Sequence, residues 1–200
     1  MVILEMKPTD HHRKKGAEKG FYMKTNKKIP VLGFSAYSGV GKTTLIEQLL
    51  PCLKSYGIRT AVFKHDVHGF EIDHEGKDSW RFSRAGADIS VICSSKKLAY
   101  IEQREHSFEE ALSQIHDVDL ILVEGYKEKR ITRVGICRKS TGKGFPDALE
   151  RYAAVVTDRT DLRAKISVYR LDDIEEICGF IVENMGNFTY MDENGRLVIK

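Results

Sequence analysis

Eight residues after an apolar run have the composition of a phosphate-binding loop. They extend from Ala36 to Thr43 and read Ala-Tyr-Ser-Gly-Val-Gly-Lys-Thr. In the pattern G-x-x-x-x-G-K-S/T, the glycines let successive backbone N–H groups face one anion, the lysine reaches the outer phosphates and the hydroxyl binds Mg²⁺. Ala36 replaces the first glycine, which is tolerated where φ stays negative. The loop predicts a nucleoside triphosphate ligand, contacted by Ser38, Gly39, Val40, Gly41, Lys42, Thr43 and Thr44.

A second motif is a hydrophobic strand that ends in a carboxylate. The run Leu120 to Val123 is followed by Glu124 and Gly125. We expect Glu124 to lie beside the phosphate loop, where it can hold Mg²⁺ together with Thr43 or orient an attacking water. Lys42 and Glu124 are therefore the candidate catalytic residues. The alternative is that Glu124 is a strand-end acid in solvent.

The segment from Lys64 to Ser79 is dense in groups that bind anions or metals. Asp66 is a candidate second Mg²⁺ contact, and Lys77, Asp78 and Arg81 are candidate contacts to a phosphorylated ligand. Two alternatives remain open. One is a solvated loop, and the other is a transition-metal site, although the spacing matches no fixed template. That site would be formed by His65, His68, His74, Asp66 and Asp73.

A basic segment follows Gly125. It contains seven Lys/Arg residues and one acid: Lys127, Lys129, Arg130, Arg133, Arg138, Lys139 and Lys143, with Glu128. Two interpretations are equally open. The segment clamps a phosphate or contacts an acidic partner, or it is a solvated strand edge.

Composition favours one domain with charged ends and excludes several classes. Two hundred residues, 42% of them hydrophobic, suit a single domain. Residues 1–28 contain eight Lys/Arg against three acids, which predicts a basic, flexible N-terminal extension. No apolar run approaches the ~18 residues of a membrane span, and no secretory signal is visible. The four scattered cysteines fit reduced thiols. A cytoplasmic protein is expected.

Strand and helix patterns alternate along the chain. Strands are predicted near 29–34, 59–64, 89–93, 98–101, 119–123, 133–138, 153–157 and 168–171, and helices near 44–56, 80–85, 107–115 and 172–185. This order predicts an α/β fold with a mostly parallel sheet covered by helices on both faces, similar to P-loop NTPases. Residues 29–185 form the predicted nucleotide-binding domain. Residues 186–200 form a tail, with a possible hairpin outside the core.

Several motifs together resemble the MobB family, the molybdopterin-guanine dinucleotide biosynthesis adaptor proteins. They are Tyr37 to Leu45, Lys64-His65 with His68, Gly76 to Ser79, Arg84 to Ala87 and Asp119 to Lys127. The similarity extends from about residue 29 to about residue 185. It implies a GTP-binding protein with at most weak GTPase activity, which assists a guanylyltransferase in joining GMP to molybdopterin.

The resemblance also implies site residues and partners. GTP with Mg²⁺ would bind the loop, and the segment from His65 to Arg81, including His68, would face substrate or partner. A homodimer is expected, and direct binding of molybdopterin is left open. Guanine recognition is the least determined feature, because no N-K-x-D sequence occurs. Asp158 in Thr157-Asp158-Arg159 is the candidate acceptor for the guanine N1 and N2 hydrogens, or else a turn residue.

Two further function classes compete with the adaptor. A small-molecule kinase would use the basic segment as a lid, with Asp66 or Glu124 as base for an acceptor hydroxyl. A nucleic-acid module would use the basic N-terminal residues, but the rest of the chain carries no matching charge. The ordered motifs favour the adaptor.

Overall fold

The structure is a computed structural model that describes residues 28–65, 69–162 and 165–200. Two of the predicted site residues, Asp66 and His68, lie outside the described residues, as does nearly all of the predicted N-terminal extension. The described chain falls into two compact units, where the sequence predicts one domain from 29 to 185. Residues 28–69 and 106–200 form the sheet unit, and Phe70–Glu105 forms the hairpin unit.

The sheet unit is built on an eight-stranded sheet. Its central strands are parallel and lie in the order β2-β5-β1-β6-β7-β8. In chain order these strands are β1 (Ile29–Ser35), β2 (Thr60–Lys64), β5 (Leu120–Glu124), β6 (Arg133–Cys137), β7 (Ala154–Thr157) and β8 (Ser167–Tyr169). Because parallel neighbours end at the same edge, the segments that follow β1, β5, β6 and β7 lie side by side.

Alternate residues of the central strands enter two separate cores. Leu32 and Leu122 pack on the face covered by α1 (Lys42–Ser55) and α4 (Ile174–Asn184). Val31 and Ile121 pack on the opposite face against α3 (Phe108–Leu112). Strands buried on both faces are continuously apolar, as in β5. Helices on both faces of a largely parallel sheet confirm the predicted fold class.

The last residues form a hairpin that belongs to the sheet. β9 (Thr189–Met191) pairs antiparallel with the first half of β1, and β10 (Leu197–Val198) pairs with β9. Phe188 is 1% exposed and packs in the main core. The predicted hairpin is therefore present, but the expectation that it lies outside the core is wrong. β9 pairs with residues 29–31 of β1, whereas β6 pairs only with residues 33–35.

The hairpin unit consists of α2 (Asp78–Arg84) followed by β3 (Ile89–Cys93) and β4 (Leu98–Glu102). β3 and β4 form a separate antiparallel pair in which Val91 is opposite Tyr100 and Cys93 is opposite Leu98. These neighbours share one face of the pair. That face is exposed: Val91 by 56%, Tyr100 by 54% and Leu98 by 66%.

The four cysteines are unpaired, as expected for reduced thiols. Cys52, Cys137 and Cys178 are buried, whereas Cys93 is exposed. Burial raises the pKa of both Cys52 and Cys178, which face each other between α1 and α4. Within residues 28–65, 69–162 and 165–200, no helix is long and apolar enough to cross a membrane.

Candidate functional site

The loop between β1 and α1 has the backbone that its sequence predicts. Gly39 and Gly41 have φ values of 80° and 105°, which residues with a Cβ rarely adopt. Ala36 has no positive φ and is fully buried, so alanine is compatible with this position. α1 begins at Lys42, where its first backbone N–H groups lack helical partners. The loop therefore directs a helix N-terminus toward the edge where the parallel strands end.

Lys42 lies over the loop. Its Nζ is 3.3 Å from the carbonyl oxygen of Tyr37 and 3.5 Å from that of Ala36. Burial lowers the pKa of Lys42, and the nearby Lys127 and Lys64 lower it further, while Glu124 opposes the shift. Several cations thus converge on one carboxylate, an arrangement that favours an added polyanion.

Thr43 and Glu124 are in direct contact, although 81 residues separate them in the chain. The Thr43 hydroxyl donates to Glu124 Oε1 at 2.9 Å, and the second carboxylate oxygen is 3.2 Å away. The contact exists because β1 and β5 are parallel neighbours, with Phe34 beside Glu124. The predicted juxtaposition of loop and acidic strand end is therefore present. We call the loop Ala36–Thr43 together with Glu124 the phosphate end.

The oxygen donors at the phosphate end suit Mg²⁺. This cation prefers oxygen ligands and is commonly held by one or two protein oxygens together with phosphates and waters. A hydroxyl and a carboxylate within hydrogen-bond distance of each other supply such a pair. Asp66, the proposed additional contact, is not among the described residues.

The turn after β5 is shaped by close packing that the sequence did not reveal. Gly125 has φ 103°, and a Cβ there would lie 3.0 Å from the Cβ of His65. The His65 N–H donates to the carbonyl of Glu124 at 3.0 Å, and its ring stacks on Tyr126 with centroids 3.9 Å apart. His65 therefore lies beside Glu124 as part of the packing under this turn.

Arg133 supports the same turn and was missed as a structural residue. It is 6% exposed, and its guanidinium donates to the carbonyl of Lys127 at 2.8 Å and also to those of Tyr126 and Lys129. A buried cation bonded to three carbonyls fixes the turn that carries Lys127. The signal in the sequence was an arginine within the apolar pattern of a strand.

The basic segment serves several purposes rather than one. Arg133 is internal, and Lys129 pairs with Glu109 at 3.1 Å. Arg138 donates from Nε to the carbonyl of Val40 at 2.8 Å and so supports the phosphate loop. Lys127 and Lys143 lie 5.4 and 5.7 Å from the ring centroid of Tyr37. Only part of the segment is thus a solvated edge.

The remaining candidates belong to both units of the chain. Lys77, Asp78 and Arg81 belong to the hairpin unit, where Asp78 and Arg81 pair with each other at 3.6 Å. Asp158 follows β7, and its Oδ1 accepts from the backbone N–H of Lys139 at 2.6 Å. Among the residues that the structure describes, no group of three or more His, Cys, Asp or Glu side chains could hold a metal.

The sheet order and the loop define a phosphate-loop nucleotide-binding α/β protein. A sequence profile of one family, described as molybdopterin guanine dinucleotide synthesis protein B, matches residues 31–158. The chain belongs to this family, MobB, as its motifs predict.

Two relatives are both named molybdopterin-guanine dinucleotide biosynthesis adapter protein. The Escherichia coli protein is 33% identical to this chain, and the aligned region covers 78% of this chain and 94% of the Escherichia coli protein. The Haemophilus influenzae protein is 34% identical, and the aligned region covers 82% of this chain and 93% of the Haemophilus influenzae protein.

Solved structures of the family have the same fold. A crystal structure of molybdopterin-guanine biosynthesis protein B is 28% identical, with a TM-score of 0.60 over 76% of this chain and 98% of that one. The structure of Bacillus subtilis MobB gives a TM-score of 0.63 at 23% identity, over 78% and 97%.

Proposed function

We propose that this protein is a GTP-binding adaptor that assists a guanylyltransferase in attaching GMP to molybdopterin. The observation that carries the proposal is the contact between Thr43 and Glu124 at the mouth of the phosphate loop, in a chain of the MobB family. Relatives named adapter proteins across nearly their whole length support the same role.

The chain's own groups would act mainly by binding. The loop from Ser38 to Thr44 supplies backbone N–H groups and the Lys42 ammonium for the triphosphate. Thr43 and Glu124 would hold Mg²⁺, which neutralises phosphate charge when bound. Arg138 keeps the loop in shape through the carbonyl of Val40. We expect turnover of GTP far below the ~1–100 s⁻¹ of kinases.

A homodimer is part of the proposal, and the hairpin unit supports it. The face that carries Val91, Leu98 and Tyr100 is exposed, and an isolated two-stranded pair is only marginally stable in water. Contiguous exposed apolar side chains mark interaction surfaces. A second copy of this face would bury them.

Light scattering on the Leu98→Lys variant tests the dimer. The wild type should have twice the mass of one chain, and the variant should dissociate because a buried lysine is unpaired. Lys97→Ala, at the adjacent exposed turn, is the control and should remain dimeric. A monomeric wild type would contradict the homodimer.

The adaptor role is tested by capture of the guanylyltransferase on the immobilised protein. We expect more capture with GTP and Mg²⁺ than without nucleotide, and no such increase for Lys42→Ala. Lys54→Ala, on the exposed last turn of the same helix, should behave as wild type. Capture that does not depend on nucleotide would contradict a role for GTP in the adaptor function. Rapid phosphorylation of a small acceptor would instead establish the kinase.

A further inference from the structure

A cleft lies beyond the phosphate end, along the same edge of the sheet. Its volume is about 310 Å³, close to the lower limit of ~300–1,000 Å³ for small-molecule sites. It is formed by the segments that follow β6 and β7, and it is lined by Lys139, Gly142, Lys143, Arg159, Thr160 and Asp161. The lining is thus polar, with three cations and one carboxylate.

The carboxylate of Asp161 is held in place within the cleft. Arg159 Nη2 donates to its Oδ2 at 2.7 Å, and Arg159 Nε donates to its Oδ1 at 3.1 Å. These hydrogen bonds lower the pKa of Asp161 to about 2. The carboxylate is therefore ionised near neutral pH, and it remains 67% exposed with lone pairs available to a ligand.

Asp158, the acid that the sequence offered for guanine recognition, is placed differently. Its Oδ1 is bonded to the backbone N–H of Lys139, and it is not one of the residues lining the cleft. Asp158 therefore joins the two segments that form the cleft. Asp161, whose two oxygens each accept one hydrogen bond from Arg159, is the carboxylate that lines the cleft.

The cleft is connected to the phosphate end. Lys143 lines the cleft and also lies 5.7 Å from the ring centroid of Tyr37 in the loop. Arg138, directly before Lys139, bonds to the carbonyl of Val40. Because β6 lies between β1 and β7, the C-terminal ends of β1 and β7 are about 10 Å apart at ~4.8 Å per strand. A nucleotide with its phosphates on the loop can extend its base across this distance.

We infer that Asp161 is the residue that distinguishes guanine from adenine in the bound nucleotide, with Arg159 as its positioning residue. Guanine offers two adjacent donors, N1–H and the N2 amino group, and a carboxylate oxygen that already accepts one hydrogen bond from Arg159 keeps a second lone pair for them. At its O6 and N7, guanine accepts hydrogen bonds from cations. Adenine presents an acceptor at N1 and a donor at N6, so the same lining disfavours it. This inference rests on the proposed function.

The Asp161→Asn variant tests the inference by exchanging the preferred base. An amide accepts from N1–H with its oxygen but donates with its nitrogen, so it matches xanthine, which carries a carbonyl in place of the N2 amino group. Calorimetry with Mg²⁺ should show GTP affinity lower by about 10- to 100-fold and XTP affinity higher than in wild type. ATP affinity should change little.

Two matched variants accompany this test. Asp172→Asn alters an exposed carboxylate that is paired with Arg170 at 3.3 Å at the same two-residue spacing, away from the cleft. It should leave all three affinities unchanged. Arg159→Ala keeps the Asp161 carboxylate but removes the side chain that positions it. The affinity for GTP should therefore fall by a few fold, while the affinity for XTP should not rise.

The outcomes separate this inference from the proposed function. If wild type binds no GTP, the proposed function itself fails. If wild type prefers GTP and Asp161→Asn retains that preference, only the present inference is overturned. A shift toward XTP in Asp158→Asn instead would assign the recognition to Asp158.

Discussion

The phosphate end and the cleft lie at the same edge of one sheet but are built differently. The phosphate end is one run of consecutive residues whose shape depends on the backbone, with Gly39 and Gly41 in conformations that side chains oppose. The cleft is built from side chains of two separate segments, with Arg159 and Asp161 on one and Lys139 and Lys143 on the other. A backbone site binds any phosphate tail, whereas a side-chain cleft can be altered one residue at a time.

Removing the Lys42 ammonium should produce the largest effect, and it should not depend on the base. Lys42→Ala is expected to weaken the binding of GTP and of ATP alike by about 10- to 150-fold, because a charge-assisted contact is worth roughly 1.5–3 kcal/mol and the binding loop loses its cation. Calorimetry provides the affinities and circular dichroism the fold. A loss confined to GTP would break the comparison, since it would place base selection at the phosphate end.

Gly135→Ala tests the strand beneath the cleft. A Cβ at this position would lie 2.9 Å from the ring of Tyr152, which is only 4% exposed. Overpacking of this kind costs about 1–3 kcal/mol of unfolding free energy, measurable by urea denaturation.

Gly179→Ala is the opposite control for this substitution. Gly179 lies within α4 with nothing within 4 Å of a new Cβ, so alanine should stabilise the protein by about 0.5–1 kcal/mol. An unchanged stability for Gly135→Ala would mean that the Tyr152 ring can move to accommodate the new Cβ.

The metal contribution should be confined to the phosphate end. In Thr43→Ala, the gain in GTP affinity on adding Mg²⁺ should fall about 10-fold, since the hydroxyl ligand is lost. Thr43→Ser retains the hydroxyl and most of the gain. Titrations with Mg²⁺ and with EDTA measure it, and an undiminished gain in the alanine variant would contradict the assignment of Thr43.

Lys143 lies between the phosphate end and the cleft, and its substitution should produce the smallest effect. Lys143→Ala is expected to weaken GTP and ATP by about 2- to 5-fold, because an exposed charge contributes up to about 1 kcal/mol. The loss should shrink as salt is raised. Comparison of affinities at low and high salt measures it, and a salt-independent loss would indicate packing on Tyr37 instead.

The difference between the phosphate end and the cleft explains what the sequence could predict. The loop and Glu124 are recognisable because a strand, a loop of fixed length and a helix are continuous in the chain, and because continuously apolar strands that alternate with helices indicate a parallel sheet. Asp161 has no such signature, because its role arises only when β6 and β7 become neighbours.

Other parts of the fold escaped prediction for related reasons. The apolar pattern identifies 89–93 and 98–101 as strands but does not determine which sheet they join. The last hairpin has only weak alternation, and its attachment to the first half of β1 depends on β6 leaving that edge free. Arg133 was counted with the exposed cations because only the folded turn supplies three carbonyls to one guanidinium.

The distribution of thiols makes the native protein suitable for site-selective labelling. Of its four cysteines only Cys93 is accessible, and it is opposite Leu98 on the apolar face of the β3–β4 pair. A maleimide fluorophore would therefore attach at a single place without any engineered substitution. Because the proposed dimer would cover that face, the rate of labelling would report how often the two copies separate.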